Sequence, residues 1–256
     1  MNKYLQVTKF TLKKETNFIT NYIFQIFGYA IHIIVFYFVW DYILGDKILM
    51  GYTKEMLIWY VIVGEFVIYS TNKCYRQISF MVKNGDIANM LIKPINFVYY
   101  LFFENASNFV KVLINIIAAL VLGIFMAGKI EISIQSSILF VISIILSLIL
   151  AILFEIIIGL MSFFIEEVKA FYLVISKLML IVVFSPIEMF PVWAQVVLKM
   201  LPTTYAVYAP AKILVLFETN NAIELLICQI ISILICITIL HFQYKKGVKK
   251  INANGG

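Results

Sequence analysis

The chain has 256 residues, 63% of them hydrophobic and only 13% charged, against roughly 45–50% and about 25% in a typical soluble domain. That composition excludes an ordinary soluble globular protein. The net charge of +6 would point to nucleic acid in a soluble chain, but in a membrane protein Lys and Arg collect on the cytoplasmic face, so no nucleic-acid partner is expected.

A helix crossing the ~30 Å hydrocarbon layer needs about 20 mainly apolar residues. Stretches of that kind predict an all-α integral membrane protein, one transmembrane domain over 1–256, with six spans at about 18–43, 55–73, 106–128, 136–165, 168–185 and 223–244. Before the first span, Gln6, Lys9 and Lys13 fall on one helical stripe and Met1, Leu5 and Leu12 on another. That pattern predicts an interfacial helix on the inner leaflet. The first apolar run is too long for a signal-peptide core and is expected to remain as an anchor.

With the N-terminus inside, the cytoplasmic segments hold thirteen basic residues: Lys3, Lys9, Lys13, Lys14, Lys73, Arg76, Lys83, Lys93, Lys169, Lys245, Lys246, Lys249 and Lys250. The outside holds five, Lys47, Lys54, Lys129, Lys199 and Lys212. This asymmetry predicts both termini in the cytoplasm.

Between spans two and three an Asn84-Gly85 turn leads to Asp86 as N-cap, then to a short helix with Ile87, Met90 and Leu91 that Pro94 ends after Lys93. A connection needs only a few residues, so those apolar side chains call for a partner surface. The fourth span is longer than one crossing requires and leads into Glu166-Glu167, a tight inner turn where solvated charges or a cytoplasmic contact are expected. Between spans five and six stand Pro186, Pro191, Pro202 and Pro210, four of the chain's five prolines, in an apolar setting with Phe190 and Trp193. Short helices dipping into the outer leaflet are expected there, as an outer gate or an interfacial cap. Irregular backbone at that depth must be covered by protein or line a water-filled cavity.

Charges inside spans are costly and usually face the protein interior, which singles out Glu65, Glu155 and Lys177. Spans four and five meet near Glu166, and Glu155 and Lys177 each lie eleven residues from it, roughly 16 Å at 1.5 Å per residue. Equal depth predicts that they face one another as an ion pair, with Glu65 at a similar level. The pair either joins two helices or contacts substrate, and Lys177 has a third option in snorkelling towards an interface.

No catalytic residues are expected. H-E-x-x-H and G-x-S-x-G are absent, and neither His32 nor His241 has a second histidine nearby to share a metal. Cys74, Cys228 and Cys236 are too scattered for a disulfide framework or a four-ligand metal site and read as apolar fillers. The run Gly123 to Lys129 imitates a phosphate-binding loop, but Ile130 stands where a magnesium-binding hydroxyl is required. Any ATP is therefore expected on another chain.

The order of these features resembles a type-2 ABC exporter permease, in particular an uncharacterised bacterial branch. The matching residues are Gly85-Asp86, Leu91 and Lys93-Pro94, then Pro186, Phe190-Pro191 and Trp193, then Leu201-Pro202, Tyr208 and Pro210, and the Gly255-Gly256 ending. The resemblance implies that residues 84–94 form a coupling helix seated on a separate ATP-binding subunit, with Glu166 and Glu167 nearby. It also implies two ATPase copies carrying ATP and Mg, a second permease chain of the same or a related kind, no cofactor on this chain, and the bacterial cytoplasmic membrane. A gradient-driven transporter or channel with Glu65, Glu155 and Lys177 in its pathway is the alternative. Intramembrane enzymes are disfavoured by the missing nucleophile, base and metal cluster.

Overall fold

The structure is a computed structural model and describes residues 6–8, 11 and 19–254. Of the N-terminal segment, only residues 6–8 and 11 are described, as helix, so the predicted interfacial helix lies outside the described residues, as does Gly255-Gly256. The described chain is helical, with one isolated bridge between Leu49 and Tyr52. Its helices are α1 (Ile19–Leu44), α2 (Lys54–Ser70), α3 (Cys74–Lys83), α4 (Ile87–Leu91), α5 (Phe97–Ala106), α6 (Phe109–Ala127), α7 (Ile134–Leu160), α8 (Val168–Phe184), α9 (Val192–Met200), α10 (Thr204–Val215) and α11 (Thr219–Asn254).

Three helical segments are long and apolar enough to cross a membrane alone: Tyr22–Leu44, Ile134–Phe163 and Thr219–Lys250. A fourth is the pair Phe97–Ala106 and Lys111–Ala127 taken together, bent by 42° at its break. The other two expected spans coincide with α2 and α8, but these have 17 residues each, roughly 25 Å of helix. Their setting explains the shortness of α2, which is buried on nearly every side, from Leu57 through Val67. An all-round apolar helix of that kind is a core element. α8 stops where Ser185 leaves the helical region ahead of Pro186, as a residue before proline tends to do.

Around α2 stand α1, α6, α8 and α10, while α7 packs against α11, α10, α3 and α5. Lipid tails are as apolar as leucine, so packing and interhelical hydrogen bonds hold such helices together. Gln229 on α11 shows how. Its amide donates to Ser147 Oγ at 2.8 Å and to the carbonyls of Tyr205 and Ser143, and accepts from Ser143 Oγ at 3.0 Å, tying α11 to α7 and α10. Gln229→Ala is expected to cost about 1–2 kcal/mol, read as a lower melting temperature in detergent, whereas Thr238→Ala, which loses only a bond to its own helix, is expected to leave it unchanged.

α11 continues ten residues beyond the expected end of the sixth span, so Lys245, Lys246, Lys249 and Lys250 belong to a helix rather than a tail. Lys250 Nζ donates to the Phe164 carbonyl at 3.1 Å, and Gly247 lies against the Phe163 ring. The imitation phosphate loop is the end of α6: Gly123 faces the Trp59 indole, whose Nε1 donates to the Gly128 carbonyl at 3.2 Å.

Candidate transport cavity and coupling surface

A cavity of about 510 Å³ opens between α1, α2, α6, α7 and α8. Two contacts tie α1 to α2 on its wall: Gln25 Nε2 donates to the Tyr69 carbonyl at 2.7 Å, and His32 Nδ1 lies 3.2 Å from Glu65 Oε1; behind the wall Tyr29 Oη donates to the Ile62 carbonyl at 2.7 Å. Glu65 is completely buried, and its Oε2 has no hydrogen-bond partner. Across the cavity Glu155 of α7 is 5% exposed; its Oε1 is 3.8 Å from Lys73 Nζ, and its Oε2 is also without a partner. Lys73 also sits 5.1 Å from the centroid of Tyr172, whose ring stacks on Tyr75 at 4.0 Å. Lys111 donates to the Thr71 carbonyl at 3.1 Å and to Asn72 Oδ1 at 3.2 Å.

The expected Glu155–Lys177 ion pair is not formed: Lys73 is the cation beside Glu155, and His32 the group beside Glu65. Glu65 and Glu155 line one cavity, and Lys177 is exposed outside it. α8 turns Tyr172, Ser176, Met179 and Leu180 towards the cavity, and Lys177 stands roughly 200° around the helix from Met179 at 3.6 residues per turn.

At one end of the bundle α3, α4 and the turn between α7 and α8 meet. Lys83 Nζ donates to Glu167 Oε1 at 2.9 Å, which joins the two segments expected to serve one coupling surface. That bond and the lysine charge hold the Glu167 carboxyl below the ordinary carboxylate range. Asp86 stands at the N-cap of α4, but in helical conformation and with no capping bond from its side chain. Ile87 is buried, and Met90 and Leu91, half-buried, pack on the same apolar cluster of Phe97, Leu101 and Leu160, so the chain itself covers part of the face expected to meet a partner. The outward face consists of Gly85, Asp86, Ala88 and Asn89, followed by Ile92, Lys93 and Pro94, with Ile92 82% exposed. Glu166 is exposed beside Glu167.

At the opposite end the proline-rich segment folds as two short helices. α9 exposes Val192, Trp193, Val196, Val197 and Met200, an apolar face suited to a membrane interface, where Trp is enriched. α10 is buried along almost its whole length against α2, α7, α8 and α11, with Pro210 inside it. Lys212, assigned from sequence to an outer loop, is therefore a buried residue, 9% exposed. Its ammonium is paired with Glu188 and bonded to Tyr208 Oη at 2.9 Å; Tyr208 donates to Glu188 Oε1 at 2.5 Å, and Tyr52 to Oε2 at 3.5 Å. Pro186, Phe190, Pro191 and Pro202 bound these short elements.

Sequence reasoning passed over this cluster and over Lys73 as a cavity residue. Among the described residues no group of His, Cys, Asp and Glu is placed to hold a metal ion. No curated protein matches the chain. The family described as ABC-2 family transporter protein matches residues 26–255, nearly the whole length, so the chain belongs to this family of ABC-transporter permeases, membrane subunits that are not themselves catalytic.

Proposed function

We propose that the chain is the permease of an ATP-driven exporter, coupled to a separate ATP-binding subunit through residues 84–94 together with Glu166 and Glu167. The observation that carries this reading is the exposed end of α4. Ile92 stands 82% exposed on a surface tied to the α7–α8 turn by Lys83 and Glu167. A large exposed apolar side chain flanked by polar and charged groups suits an anchor entering a partner's groove. In this reading all six helical segments cross a bacterial cytoplasmic membrane with both termini inside, and α2 and α8 reach the interfaces through their flanking turns. Two ATPase copies, which carry ATP and Mg, serve two permease chains of the same or a related kind. The proline-broken α9–α10 segment forms the outer gate.

Ile92→Asp combined with Ala88→Asp is expected to lower the amount of ATPase subunit co-purifying with the tagged chain at least about fivefold, since loss of one apolar anchor typically costs 1–2 kcal/mol or more. Both positions are exposed, so the chain's own melting should not change. Unchanged recovery of the ATPase and unchanged stimulation of ATP hydrolysis would remove the coupling role. The carboxylate cavity would also serve a gradient-driven carrier, and substrate movement that follows a proton gradient in membranes lacking the ATPase would put that reading in place of the exporter.

A further inference from the structure

Glu65 and Glu155 leave the cavity between α1, α2, α7 and α8 with two buried carboxylate oxygens, Oε2 of each, that have no hydrogen-bond donor. An ionised carboxylate accepts hydrogen bonds and donates none, so only a donor can complete them, and a buried carboxylate without one is costly. The cations already present do not reach these oxygens. Lys111 is held by the Thr71 carbonyl and Asn72, and Lys73 approaches only Glu155 Oε1, at 3.8 Å, with its ammonium partly over the Tyr172 ring. Glu65 has no lysine or arginine within 4.0 Å among the described residues; its neighbour is the His32 imidazole. Beside the polar Gln25, Thr71, Asn72 and Ser176, the remaining wall is mainly apolar and aromatic, with Tyr69, Phe154, Tyr172, Met179 and Leu180, surfaces that accept a hydrocarbon body and, at the ring faces, a cation. The volume of about 510 Å³ lies within the usual ~300–1,000 Å³ of small-molecule sites.

We propose that this cavity binds an amphipathic organic cation, a primary ammonium on an apolar body, with Glu65 as its principal counter-ion and Glu155 as a second acceptor that the ligand shares with Lys73. The assignment deepens the transport reading by naming the substrate class. Lys73 and Lys111 balance the two carboxylates when the cavity is empty of ligand, so selectivity rests on the unspent acceptors rather than on net charge. A ligand ammonium at Glu65 completes Oε2; a carboxylate or phosphate ligand would leave both acceptors unmet and add repulsion.

The test uses the purified full-length chain in lipid nanodiscs and three probes that share one fluorophore: dansylcadaverine, its N-acetyl derivative and dansylglycine, which are cationic, neutral and anionic. Saturable binding of dansylcadaverine at least about tenfold tighter than either of the others is expected, since a hydrogen bond to a charged group contributes ~1.5–3 kcal/mol. Glu65→Gln should remove that preference, Glu155→Gln should weaken the cation about threefold, and Glu65→Asp, which keeps the charge, should retain the preference. The neutral probe also reports whether a variant is folded. Equal binding of the cationic and neutral probes would show that the carboxylates hold protons only, and tighter binding of dansylglycine would assign the cavity to anions through Lys73 and Lys111; either result overturns the proposal. Because the assay needs neither ATPase nor transport, its failure is separate from failure of the exporter reading, which rests on ATPase recovery.

Discussion

Lys212→Met is expected to destabilise the protein by about 3 kcal/mol, the lower end of the range for removing one partner of a buried ion pair. Lys212 is almost fully buried, whereas the Glu188 side chain is 31% exposed, and that residual contact with solvent places the cost at the lower end. After substitution Glu188 keeps Tyr208 and Tyr52 as donors but loses its only paired cation among the described residues. Replacing both partners, Glu188→Gln with Lys212→Met, should restore most of the loss, because removing a buried pair as a whole is often close to neutral. The measurement is a double-mutant cycle on melting in detergent or on mild chemical unfolding. Additive losses would show that the two residues act independently and that the cluster does not hold α10 in place.

The elements of this fold were legible wherever an apolar run stood alone, as in α1, α7 and α11. α10 was harder to read because Pro202 and Pro210 suggest interruption. The contrary signal was the set of small residues Ala206, Ala209 and Ala211, all buried, which let neighbouring helices approach as small residues do in membrane interfaces. Lys212 was counted among outer-loop charges for the same reason. Counting residues from a turn gives depth but not azimuth. It set Glu155 and Lys177 at equal depth, yet it could not tell that α8 turns Met179 inward and Lys177 outward. Lys73 became the partner of Glu155 because α2 ends at Ser70, bringing the first residues after it alongside α7. The small helix after the Asn84-Gly85 turn was legible from its bounding residues, Gly85 adopting a positive φ of 77°. Its orientation was not, since Ile87, Met90 and Leu91 suit a partner's groove and the chain's own cluster equally well. The cluster won because α5 and the end of α7 supply Phe97, Leu101 and Leu160 at once.

Gly159 is expected to control how closely α3 approaches α7, and Gly159→Ala should destabilise the chain although alanine is the better helix former. A Cβ at Gly159 would overlap Ile78 Cδ1 of α3 and lie 3.0 Å from Ile78 Cβ, which belongs to the stiff root of the side chain. Ile78 is fully buried, so it cannot turn away without moving α3. Overpacking of this kind costs about 1–3 kcal/mol, against a gain of ~1 kcal/mol from replacing glycine inside a helix. The net loss should therefore lie between zero and about 2 kcal/mol. The sign should reverse once the obstacle is removed: in an Ile78→Ala background, Gly159→Ala keeps the helix gain without the clash and should raise the melting temperature. In the wild-type background, displacing α3 should also pull Lys83 away from Glu167, since Lys83 is the last residue of α3. ATPase co-purification should then fall with Gly159→Ala and recover with the double substitution. Stabilisation by Gly159→Ala alone would mean that α3 shifts freely, and the rigid link from α7 to the coupling surface would have to be abandoned.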